Sequence, residues 1–92
     1  MPTIHVEFFG IPRSRAGLSK IELEFDEPGV SVADVIRRLG KQFPKLADDC
    51  ITGSALRDGY IANINGQIFL RDGKQRLYDG DRLLLLSADA GG

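Results

Sequence analysis

Ninety-two residues, 42% hydrophobic and 27% charged, make one folded domain over 1–92 and exclude a disordered chain. A net charge of -1 gives no basic footprint for nucleic acid, and no apolar stretch is long enough to span a bilayer, so neither is expected as a partner. The single cysteine, Cys50, cannot close an internal disulfide, and no basic-then-apolar leader opens the chain, so the expected compartment is the cytoplasm.

Residues 3–9 alternate: Ile4, Val6 and Phe8 share one face, while Thr3, His5, Glu7 and Phe9 share the other. That is the period of a strand. Gly10 to Gly17 holds Pro12, Arg13, Ser14 and Arg15 and reads as a loop. Residues 18–25 alternate again, with Ile21, Leu23 and Phe25 inward and Glu22 and Glu24 outward. The first two strands are therefore expected to form a hairpin with a long connection.

Glu27-Pro28-Gly29 breaks the second strand, and Ser31 opens a helix. Its hydroxyl can accept from the Asp34 amide, and the Asp34 carboxylate suits the positive end of the helix dipole. Val32, Val35, Ile36, Leu39 and Phe43 follow as one apolar stripe, with Arg37, Arg38 and Lys41 toward solvent. Gly40 costs this helix about 1 kcal/mol relative to alanine and is expected to loosen its last turn. Pro44 ends it.

Residues 45–59 read as a loop with a short helical turn. Residues 60–65 read as a third strand, and Asn65-Gly66 as a tight turn into a short strand over 67–70. Arg71-Asp72-Gly73 and Asp79-Gly80-Asp81 are further turns, the latter a turn and nothing more. It leads into the strand Arg82-Leu83-Leu84-Leu85-Leu86.

The order of hairpin, crossover helix and further strands predicts an α+β chain. A mixed sheet carries one main helix on one face, as in a ubiquitin-like β-grasp. Parity then turns Leu83 and Leu85 to the helix with Tyr60, Ala62 and Ile64. Phe9, Ile61, Leu84 and Leu86 fall on the helix-free face, where an apolar patch reads as a partner-binding surface. His5 reads as a solvated strand residue, Cys50 as a half-buried loop residue, and Arg13 and Arg15 as loop charges. With one histidine and one cysteine, no metal site is expected.

The sequence closes on Gly91-Gly92. A strand that delivers a side-chain-less carboxylate supplies what acyl activation needs, and glycine lets a flexible tail over 87–92 lie close to a reactive centre. Gly92 is the expected reactive group, with Ala90 and Gly91 threading the tail into a partner. Ser87-Ala88-Asp89-Ala90 holds no arginine, which speaks against ubiquitin-type conjugation.

Four stretches in register resemble one family. They are Ile4-His5-Val6-Glu7-Phe8-Phe9-Gly10, Val30-Ser31-Val32-Ala33-Asp34-Val35-Ile36, Ala62-Asn63-Ile64-Asn65-Gly66, and Tyr78 to Leu86 followed by Gly91-Gly92. Together they resemble the MoaD/ThiS-type sulfur carriers, and length and opening strand sit closest to the molybdopterin-synthase small subunit. The resemblance implies that an E1-like adenylating enzyme uses ATP to activate the Gly92 carboxylate, which becomes a thiocarboxylate. The carrier then docks on the molybdopterin-synthase large subunit, as a heterotetramer, and donates sulfur to a pterin precursor. On its own it would be no enzyme and bind no cofactor. Sulfur delivery to thiazole, an amino acid or tRNA, and protein modification, stay open as alternatives.

Overall fold

The alternation of residues 3–8 and 20–24 builds the hairpin at one edge of the sheet. The computed structural model describes residues 1–70 and 73–88, the side chains of Ile68 and Leu70 excepted. Strands β1 (Thr3–Phe8) and β2 (Lys20–Glu24) pair antiparallel, Ile4 opposite Leu23 and His5 opposite Glu22. Strand β9 (Arg82–Ser87) runs parallel to β1, and β6 (Tyr60–Ile64) pairs antiparallel with β9. With β7 (Ile68–Leu70) outside β6, the sheet order is β2-β1-β9-β6-β7. The first, third and last strands predicted from sequence therefore lie side by side, and the mixed β-grasp sheet is as expected.

The main helix, α2 (Val32–Gln42), crosses one face. Its start is capped as the sequence predicts: the Asp34 amide donates to the Ser31 hydroxyl, and the Ser31 amide donates to the Asp34 carboxylate. Two further first-turn amides are satisfied by the backbone, Val32 on the Gln75 carbonyl and Ala33 on the Gly73 carbonyl. Val35, Ile36 and Leu39 join Val6, Phe8, Leu23, Ile64, Leu83 and Leu85 in one buried core. The Phe43 ring meets Phe8 edge-on, 5.8 Å between centroids.

Several expectations are corrected. Residues 10–17 hold a short helix, α1 (Ile11–Ala16), where a loop was expected. Pro12 opens it, Gly17 closes it in the left-handed conformation, and Pro12 and Ala16, one turn apart, are buried. Residues 45–59 hold α3 (Pro44–Cys50) and a small hairpin of β4 (Ile51–Thr52) and β5 (Ala55–Leu56). Pro44 thus starts one helix where it ends another. Arg15 and Asp49 pair across α1 and α3. Helix α2 runs through Gly40 and ends at Gln42, just before Pro44 as expected, and Gly40 faces Ala47 and Ile51. Val30 and Ser31 form β3, paired with an unforeseen β8 (Arg76–Leu77).

The Asp79-Gly80-Asp81 segment is more than a turn. The Thr3 amide donates to the Asp79 carboxylate at 2.8 Å, and the Tyr78 amide donates to that of Asp81 at 2.8 Å. The Gly80 amide donates to the Thr3 carbonyl at 2.8 Å. This segment fastens the start of β9 to the start of β1. The tail also begins later than residue 87: Ser87 is the last residue of β9 and is buried. The Arg71-Asp72 part of the second expected turn lies outside the described residues.

Candidate docking face and carrier tail

The sheet face away from α2 is divided along its strands. At the end where β9 begins, the face is charged. His5 Nδ1 lies 3.5 Å from Glu22 Oε1, and Arg82 Nε lies 3.7 Å from Glu7 Oε1. At the end where β9 finishes, the face is apolar. Leu86 stands opposite Ile61 across the β9–β6 ladder, and Leu84 opposite Asn63. The Phe9 amide donates to the Leu85 carbonyl at 2.9 Å, which carries the β1–β9 register one residue further and sets Phe9 beside Leu86.

The structure therefore gathers the four predicted patch residues, Phe9, Ile61, Leu84 and Leu86, on one face. Phe9 is 43% exposed, and the other three are half-buried. Their parity follows from Leu83 and Leu85, which are buried against the helix side. A fifth residue, Phe69, belongs to the face and was missed. It pairs with Asn63 from the outer strand and is 65% exposed. The continuous run Ile68-Phe69-Leu70 hides its parity. Read as a two-residue turn, Asn65-Gly66 would set Asn63 opposite Ile68; the register instead leaves residues 65–67 between Ile64 and Ile68 and puts Phe69 opposite Asn63.

Asn63 sits between Leu84 and Phe69 in that register and is 4% exposed, with no hydrogen-bond partner for Oδ1 among the described residues. The middle of the face thus holds one covered acceptor among apolar side chains. Beside the exit of β9, the Ala88 amide donates to the Gly59 carbonyl at 2.7 Å. That bond holds the chain against the β5–β6 connection one residue past the strand. A cleft of about 280 Å³ opens there, lined by Val32, Leu56, Arg57, Tyr60 and Ala88 among others. The predicted reactive Gly92, the threading residues Ala90 and Gly91, and Asp89 lie outside the described residues.

His5 is half-exposed on its strand, as expected. Cys50 is not a half-buried loop residue: it closes α3 and is wholly buried. Burial pushes its thiol up from the usual value, which leaves it protonated and unreactive at neutral pH. Arg13 and Arg15 are exposed on α1, not in a loop.

No curated protein matches the chain. Solved structures share its fold. The small archaeal modifier protein 1 of H. volcanii is 18% identical with a TM-score of 0.80, over 95% of this chain and 98% of that one. The Pyrococcus furiosus protein described as molybdopterin converting factor, subunit 1, is 22% identical with a TM-score of 0.74, over 95% and 98%. A chain of the Amycolatopsis orientalis BexX/CysO complex is 22% identical with a TM-score of 0.70, over 97% and 99%. The family model of ThiS matches residues 6–92. From the opening strand to the final glycines, the chain belongs to the ThiS family, ubiquitin-like β-grasp proteins that act as sulfur carriers or modifiers beside partner enzymes.

Proposed function

We propose that this chain carries sulfur as a thiocarboxylate on Gly92 for molybdopterin assembly. The observation that carries the reading is the family match running through Gly91 and Gly92. The apolar half of the open face, at the end where β9 finishes, supports it. A carboxylate, ionised at neutral pH with a reference pKa of about 3.3–3.7, is a poor acyl donor until one oxygen becomes a leaving group. An E1-like adenylating partner transfers AMP from ATP to that oxygen and releases pyrophosphate. Sulfide sulfur then attacks the carbonyl carbon, AMP leaves, and a C–S bond stands where a C–O bond was. The chain contributes the acyl group and a docking surface. The same face then seats the large subunit that passes sulfur to a pterin. We assign this work to the cytoplasm, where ATP is supplied and thiols stay reduced.

A second reading, attachment to proteins as a modifier, is favoured by the fold shared with the small archaeal modifier protein 1. One experiment separates them. The chain is incubated with ATP, sulfide and a cognate adenylating enzyme and weighed intact. Carrier chemistry exchanges one oxygen for one sulfur at the terminus, and deleting Gly92 abolishes the exchange while leaving the thermal melt unchanged. Normal activation of the deletion variant would overturn the reading. Isopeptide-linked adducts on other proteins would favour the modifier.

A further inference from the structure

The free edge of β2 carries a second interaction surface, unrelated to the apolar patch. β2 is an outer strand of the sheet, paired among the described residues with β1 alone. The Phe8 amide donates to the Ser19 carbonyl and the Phe25 amide to the Pro2 carbonyl. With the β1–β2 register, these bonds turn the backbone groups of Ser19, Ile21, Leu23 and Phe25 toward β1. The N–H and C=O groups of Lys20, Glu22 and Glu24 therefore point outward from the sheet. Such an edge is a template for another strand.

Arg38 closes one end of it. Its guanidinium lies 4.7 Å from the centroid of the Phe25 ring and donates from Nη1 to the Glu24 carbonyl at 2.5 Å. That carbonyl is one of the outward acceptors. A helix side chain predicted only to face solvent thus occupies a position that an incoming strand would need.

The residues along the edge indicate what that strand would be. Set antiparallel about Glu22, β2 meets itself with Lys20 opposite Glu24 at both ends and Ile21 opposite Leu23 on the helix side. Two attractive charge pairs flank one repulsive Glu22 pair, and each Glu22 already lies beside its own His5. We propose that the β2 edge is a self-association surface for a second copy of this chain, held shut by Arg38, which competes with the Lys20 amide of the second copy for the Glu24 carbonyl.

Light scattering after gel filtration tests this across a wide concentration range. Wild type should stay monomeric, and Arg38→Ala should double its mass as concentration rises. Amide hydrogen exchange gives a second readout. Lys20, Glu22 and Glu24 should exchange freely in wild type and become protected in the Arg38→Ala dimer. Glu22→Pro removes an outward donor at an edge position that tolerates proline, so the double variant Arg38→Ala/Glu22→Pro should return to monomer. Arg38→Gln, which keeps the helix surface polar, repeats the experiment should Arg38→Ala melt early. The proposal is overturned if both Arg38 variants stay monomeric. Dimers that survive Glu22→Pro would place the contact elsewhere. Open-ended oligomers would indicate β2 pairing with the β7 edge. Edge amides already protected in wild type would show that Arg38 guards nothing.

Discussion

Asn65 grips the backbone of Arg82 from both sides. Its amide donates to the Arg82 carbonyl at 2.8 Å, and its side-chain oxygen accepts from the Arg82 amide at 2.9 Å. Its side-chain nitrogen also donates to the Asp81 carboxylate at 3.2 Å. The same residue turns the hairpin with a φ of 57°, followed by Gly66 at 75°. One asparagine therefore sets both the β6–β7 turn and the position at which β9 begins.

Replacing Asn65 separates the two roles. Asn65→Gly keeps the left-handed turn and loses the side-chain hydrogen bonds, at a cost of about 1 kcal/mol. Asn65→Ala loses both, and the left-handed conformation adds roughly 1–2 kcal/mol. Urea titration of both variants checks the order. Equal stabilities of the two variants would mean that the grip, not the left-handed turn, matters.

Truncating the buried contact between helix and sheet should be severe. Leu39 and Leu85 are 0% and 1% exposed, on α2 and β9. Each change to alanine should cost about 2–5 kcal/mol, a large share of a small domain's stability. Near-wild-type midpoints for both would contradict the packing.

Gly40 offers the opposite change. A Cβ built there meets Ala47 and Ile51 side chains at 3.7–3.9 Å, ordinary contact distances. Gly40→Ala should therefore raise stability by about 1 kcal/mol, the helix propensity difference. A lower melting temperature would show that the α2–α3 packing has no room for the added methyl.

Acid should weaken the start of α2. The Ser31 backbone N–H, aided by the Ser31 hydroxyl and Arg37, holds the Asp34 carboxyl below its ordinary 3.8 despite partial desolvation. The folded chain binds that proton less tightly than the unfolded chain. Its contribution is therefore present above pH 3.8 and lost as pH falls through the lower folded value. Asp34→Asn should flatten stability against pH in that acid window, and Ser31→Ala should cost about 1 kcal/mol at neutral pH. Stability curves measured from pH 2 to 7 by urea decide it.

Docking should depend on the apolar half of the open face. Leu84→Asp should leave the chain folded and weaken binding to an adenylating partner or large subunit by on the order of 2 kcal/mol or more. Phe69→Ala should weaken it as well, and Arg37→Ala, on the helix side, should not. Equal affinities for wild type and Leu84→Asp by calorimetry at one salt concentration would assign docking to another surface.

Long periodic elements were legible in the sequence, and short ones were not. Ile4, Val6 and Phe8 announce β1 because period two is unambiguous over six residues, and the Val32–Phe43 stripe announces α2 in the same way. Helix α1 has six residues and only Pro12 and Ala16 buried, too few for a stripe to show. Strands β4, β5 and β8 have two residues each and exist through tertiary pairing. The patch was legible because the leucine run has fixed parity beside a one-helix sheet. Phe69 was not, because its parity depends on the turn. Arg38 read as a solvent charge because nothing in the helix pattern reports that Glu24 presents a free carbonyl beside it.

The last strand in sequence is the middle strand of the sheet, between β1 and β6. A chain emerging from a ribosome therefore cannot close this core until Leu83 and Leu85 have been synthesised, and its first and last strands must find each other across nearly the whole length. Folding follows synthesis of β9, and the residues after it become presentable to a partner only on a molecule whose core is already complete.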